Sequence, residues 1–156
     1  MGALTAERDT PRRSTWGYRQ NFPQKTNTKI FNGGLVNTDA TGFAVPAADT
    51  ANHHCFGRAT QTRDTTAAGP DGVLADGVAG NLSGVGIETE AGIFELDNPA
   101  NGGNQLTQAD VLKTCCVLSD HEVTRAAGTA NAIVAGVVLS VDLVLNKAVV
   151  DTTRKA

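Results

Sequence analysis

Cys55, Cys115, Cys116, His53, His54 and His121 are the residues whose types come nearest to a metal site. Thiolate and imidazole are the side chains zinc prefers, and a structural zinc needs four ligands. The spacing argues against such a site. There is no C-x₂-C or H-x₃-H, and two pairs of candidates are direct neighbours. Adjacent residues of a strand point to opposite faces, so Cys115 and Cys116 do not serve one metal together. One of them is expected to be buried as a small hydrophobe and the other to face outward. The same cysteines with His121 as base lack any evident electropositive setting that would activate a thiol.

Carboxylates are numerous but scattered. Glu88 and Glu90 share a strand face, about 7 Å apart at a rise of ~3.3 Å per residue. Glycosidases use pairs at such a separation. No cleft-forming aromatics accompany this one, and both side chains are expected in solvent. The stretches DNPANGGN (97–104) and AGPDGVLADGVAG (68–80) do not match the D-x-[DN]-x-[DN]-G calcium loop, and the sequence contains no phosphate-binding glycine loop. The scan therefore yields no catalytic, cofactor-binding or metal residue, and the expectation is a non-enzymatic protein without a cofactor.

The elements that carry these residues read as short strands. Ile30 to Val36 is an apolar run bent by Gly33-Gly34, and Phe43-Ala44-Val45-Pro46 and residues 54–59 follow. Residues 60–82 read as a long surface loop with room for one short strand. Residues 85–96 alternate as a half-buried strand or hairpin. Residues 106–113 form the single helical piece, with Thr107 as N-cap and Asp110 three positions on. Residues 115–119 and 122–125 pair across Asp120-His121. The most hydrophobic stretch, 133–150, begins with a long central strand, and a tight hairpin across Asn146-Lys147 ends it. The sum is an all-β protein: a small β-sandwich or barrel of short antiparallel strands with one short helix and an extended N-terminal arm.

Composition agrees with that class. The 156 residues suffice for one domain with tails, and 40% hydrophobic against 19% charged residues argues for a folded core. Only 4% is aromatic and 17 residues are glycine, so the core is thin and its stability is expected to lean on oligomer contacts and on the arm. No apolar run approaches the ~20 residues of a membrane helix. The opening residues lack an apolar signal core, so neither secretion nor an anchor is indicated.

Charge divides the chain. Residues 1–29 hold six basic and two acidic side chains, and the other 127 hold seven and fourteen. Trp16, Tyr18 and Phe22, three of the seven aromatics, also lie in this basic arm. Aromatic side chains gain free energy when buried, so the arm is expected to dock on its own body, a sister subunit or another protein. A short cationic arm on an acidic body is a weak anchor for nucleic acid, which is not expected as a partner. The chain thus divides into an extended basic arm (1–29), a β-domain (30–150) and a polar tail (151–156).

The order of segments resembles the capsid cement, or head decoration, proteins of tailed phages and prophages. The family pattern A-L-T-A-x-R-[DN]-T-P-R-R has its counterpart in residues 3–13, and K-I-[YF]-x-G-[AG]-L-V in residues 29–36. G-[YF]-A-V-P-A (42–47), G-R-A (57–59), G-[IV]-F-x-[LF] (92–96) and L-T-Q-A-D-[VL]-x-K-T (106–114) follow in order. The series ends with x-V-x-D-x-x-V-T, placed between Cys116 and Thr124, and V-A-G-V-V-x-x-V-D (134–142). The chain departs from the pattern at Cys116 or its neighbour, where the family often has Tyr. It departs again in the His53-His54-Cys55 insertion and in the polar tail. The resemblance implies a structural virion protein, made in the host cytoplasm, that binds the outer surface of an icosahedral head and clamps neighbouring major capsid subunits. It also implies a homo-oligomer, a trimer in preference to a dimer, with no membrane or nucleic-acid partner. Arg8, Arg12, Arg13, Trp16, Tyr18, Arg19 and Phe22 are the contact residues assigned to the arm. The alternatives are a phage tail or baseplate component with carbohydrate-binding loops, and a small enzyme or metal-binding β-domain.

Overall fold

The computed structural model describes residues 3–10, 18–66 and 81–155; of Tyr18 and residues 81–85 it describes the backbone alone. In chain order the strands are β1 (Tyr18–Lys25), β2 (Lys29–Ile30), β3 (Leu35–Thr38), β4 (Ala44–Pro46), β5 (His54–Ala59) and β6 (Arg63–Asp64). After these come β7 (Asn81–Ala91), β8 (Ile93–Asp97), β9 (Thr114–Val117), β10 (Val123–Thr124), β11 (Val134–Asp142) and β12 (Lys147–Asp151). The protein is all-β.

Five strands close a small barrel in the order β1-β4-β3-β5-β7, and five more form a sheet in the order β10-β9-β11-β12-β8. The barrel is antiparallel except where β1 meets β4 at Gln24 and Ala44. A two-stranded ribbon joins β2 to β6. Gly92 alone separates β7 from β8, so a single residue carries the chain from barrel to sheet. Thr152 fastens that step. Its hydroxyl accepts from the Gly92 amide at 2.9 Å, and its amide donates to the Gly92 carbonyl at 2.8 Å.

Two apolar clusters hold these layers. Ile30, Val36, Ala44, Ala59 and Ile87, with Phe22 against them, make up the smaller. The larger includes Leu35, Leu96, Leu106, Val117, Val123, Val138 and Val150. Leu35 and Val36 are neighbours in β3 and belong to different clusters, because successive strand residues point to opposite faces. β3 is therefore covered on both sides at Leu35 and Val36.

The boundary of the folded body differs from the expected one. Residues 18–25 are not a detached arm: β1 pairs with β7 from Tyr18–Ala91 to Lys25–Asn81. The alternation that would have marked a strand is interrupted at Pro23, which lies at a register shift where a residue without an N–H is tolerated. The tail is also shorter than expected, since β12 extends to Asp151 and Thr152 is 1% exposed.

Three local differences have local causes. The expected helix over 106–113 is a 3-10 turn, Gln108–Asp110, with Val111 already extended and Leu112 at φ +67°. Thr107 does stand at its N-cap, and its amide donates to the Asp110 carboxylate at 2.7 Å. The final hairpin turns one step earlier than expected. β12 pairs with β11, and Leu143, Val144 and Leu145 occupy the exposed turn between them. Within the expected long loop, β6 and the first two residues of β7 are strand, and 67–80, which include all of AGPDGVLADGVAG, lie outside the described residues.

Candidate functional site

The residues assigned to the arm separate into two groups. Arg12, Arg13 and Trp16 lie outside the described residues, as does the side chain of Tyr18. Arg8, Arg19 and Phe22 are placed, and each is engaged with this same chain.

Residues 3–10 run along the body, with Leu4, Arg8 and Thr10 among the residues that hold them there. The Leu4 amide donates to both carboxylate oxygens of Asp120, at 2.9 and 3.1 Å. Arg8 makes a two-pronged contact with Asp97, Nη1 to Oδ2 at 2.6 Å and Nη2 to Oδ1 at 3.1 Å. Thr10 is fully buried and donates its hydroxyl to the Gly33 carbonyl at 2.6 Å. Lys147, across the β8–β12 register from Asp97, donates to the same carboxylate. Burial favours the neutral form of Asp97, but the hydrogen bonds and charges of Arg8 and Lys147 outweigh it and hold the carboxyl below its ordinary range.

Arg58 of β5 links this segment to the barrel. Its Nε and Nη2 donate to Glu90 Oε1 at 2.9 and 2.8 Å, its Nη1 donates to the Thr10 carbonyl, and its guanidinium lies 4.8 Å from the centre of the Phe94 ring. Glu90 is thus buried and ion-paired, contrary to the expectation that Glu88 and Glu90 both face solvent. Arg58 of the neighbouring strand covers the position that alternation alone would leave open. Glu88 is the more exposed of the two, and it accepts from Arg19 at 3.1 Å and from Thr60 at 2.7 Å. Phe22 meets Phe56 edge to face, with centroids 5.1 Å apart.

Sequence reasoning missed Asp97 and Asp120, the two carboxylates that receive the N-terminal segment. No local pattern marks them, because their partners lie 89 and 116 positions away along the chain.

The residues weighed for chemistry do not assemble into a reacting set. Cys55, Cys115 and Cys116 are all buried as free thiols, so neither member of the vicinal pair faces out. β9 lies between β10 and β11 with both its faces covered at these positions. Burial raises all three thiols, Cys115 to about 12, the opposite of what a nucleophile needs. Among the described residues no three His, Cys, Asp or Glu side chains converge as metal ligands. Ser119, His121 and Asp120 are neighbours of the types found in hydrolytic triads. Here the Ser119 hydroxyl (3.4 Å) and the Asp120 carboxylate (2.9 Å) both face His121 Nδ1. A relay needs them on opposite ring nitrogens. Ser119 instead donates to Glu122 at 2.8 Å, which closes the β9–β10 turn.

No helix among the described residues is long and apolar enough to cross a membrane. No protein-family model, no curated protein and no solved structure matches this chain.

Proposed function

We propose that this chain is a structural virion protein, a capsid cement protein that binds the outer surface of a phage head and clamps neighbouring major capsid subunits. The observation that carries the reading is the run of seven short motifs, in family order, from Ala3 to Asp142 of an all-β chain, with an eighth met in part between Cys116 and Thr124. Three physical features support it. The body beyond residue 29 is acidic, as suits an outward face, and the sequence puts six of its thirteen cations and three of its seven aromatics ahead of it. Arg and aromatic side chains dominate interface energies. Leu143, Val144 and Leu145 are 52, 90 and 67% exposed at one turn, an apolar tip that gains free energy when a neighbour covers it.

In this reading Arg12, Arg13 and Trp16 make the contact with the shell, and Arg8 and Phe22 brace the segment from within. Many copies with modest individual interfaces add up through multivalency on a lattice, and a homotrimer is the favoured assembly. The test is co-sedimentation of the purified protein with expanded heads lacking it. The wild-type chain should saturate at a fixed molar ratio to the shell protein. Arg12→Ala/Arg13→Ala/Trp16→Ala, which leaves β1 intact, should lose retention. Failure of the wild-type chain to sediment with heads, or its appearance on tails in negative stain, overturns the proposal.

A further inference from the structure

Beside the start of β5 lies a cavity of about 450 Å³ whose lining includes His53, His54, Cys55, Ile133, Val134 and Lys155. That volume is within the range of small-molecule sites. Its chemistry runs against the rest of the molecule. The chain carries a net charge of −3, yet the described lining has no Asp or Glu and has one ammonium and two imidazoles. Lys155 donates one ammonium hydrogen to the Ala135 carbonyl at 2.6 Å, which leaves two of its three donors for another acceptor. Ile133 and Val134 supply an apolar wall, and the thiol of Cys55, raised by burial, adds no negative charge.

We propose that this cavity binds a small organic acid, its carboxylate held by Lys155 and its apolar body against Ile133 and Val134. A metal fits less well, because the lining does not bring three ligand side chains together. A phosphate fits less well too, because a single ammonium suits a monoanion better than a dianion. No residue of the N-terminal segment takes part, so the proposal is independent of the capsid reading.

The test is a titration of the ¹⁵N-labelled full chain with sodium benzoate, benzyl alcohol and inorganic phosphate, followed through the amide signals of residues 52–55 and 132–134. Benzoate should shift these signals saturably, and benzyl alcohol and phosphate should bind at least tenfold more weakly. Lys155→Gln can still donate to the Ala135 carbonyl, and it should weaken benzoate at least tenfold with the rest of the spectrum unchanged. Lys155→Met, which removes the polar head altogether, should do the same. A non-saturating benzoate response overturns the proposal. So does an equal response to either control probe, or unchanged benzoate affinity in both folded Lys155 variants.

Discussion

Arg58 and Glu90 face each other across the register of β5 and β7, with two guanidinium nitrogens within 2.9 Å of one carboxylate oxygen and the Glu90 side chain only 4% exposed. The pair sits where the barrel, the N-terminal segment and Phe94 of β8 meet. Three parts of the fold therefore depend on one guanidinium.

Arg58→Met keeps much of the side chain's length but takes from buried Glu90 its nearer guanidinium, leaving Arg19 Nε 3.8 Å from Oε2. Removing one partner of a buried pair costs about 3–5 kcal/mol, and replacing both by apolar groups is often close to neutral. Urea unfolding should show a loss of that order for Arg58→Met and recovery of most of it in Arg58→Met/Glu90→Leu. A single-variant loss below about 1 kcal/mol, the range of exposed pairs, would contradict the burial described for Glu90.

Acidification should destabilise the fold in a defined window. In Asp97 and Asp110, burial favours protonation, but hydrogen bonds from Arg8 and Lys147 and from Arg125 and Thr107 outweigh it and leave both carboxyls below their ordinary values. A carboxyl whose folded pKa is depressed contributes stability that is fully present above its unfolded pKa, about 3.9, and is lost as pH falls through the folded value. The contribution of these two groups to the urea midpoint should be flat from pH 7 to 5 and decline below about pH 4. Asp97→Asn should be less stable at neutral pH and lose less on acidification. Parallel pH profiles for variant and wild type would refute the role given to Asp97.

Gly33 has φ +85°, and a Cβ placed on it would lie 1.9 Å from the Arg8 carbonyl oxygen. Gly33→Ala therefore meets both a disfavoured backbone conformation and the backbone of the N-terminal segment. It should cost about 1–3 kcal/mol and release residues 3–10 from the body. Limited trypsin digestion read by mass spectrometry should show faster cleavage after Arg8 in the variant. Equal cleavage rates would mean that the segment is not seated over Gly33.

What could be read from the sequence was local. Thr107 and Asp110 are three positions apart, and their mutual hydrogen bond follows from that spacing even though the helix stops after one turn. The β9–β10 hairpin across Asp120-His121 is likewise a matter of neighbours. The alternation over 85–96 marks β7 and β8 but not the change of sheet at Gly92, because strand periodicity carries no information about which sheet a strand joins. Glu90 and the Cys115-Cys116 pair depart from expectation for a related reason. Period two tells which residues share a face, and only the partner strands decide whether that face is covered. The seat of the N-terminal segment was invisible because Asp97 and Asp120 acquire their meaning from residues at the far end of the chain.

The passage through Gly92 has a mechanical side. The barrel and the five-stranded sheet are coupled in series by one covalent step, and Thr152 clasps that step from both directions. A load applied to either half is delivered to the other along the backbone itself, with no slack linker to absorb it. Under tension or heat the two halves should let go together, in a single event, rather than peel apart in turn.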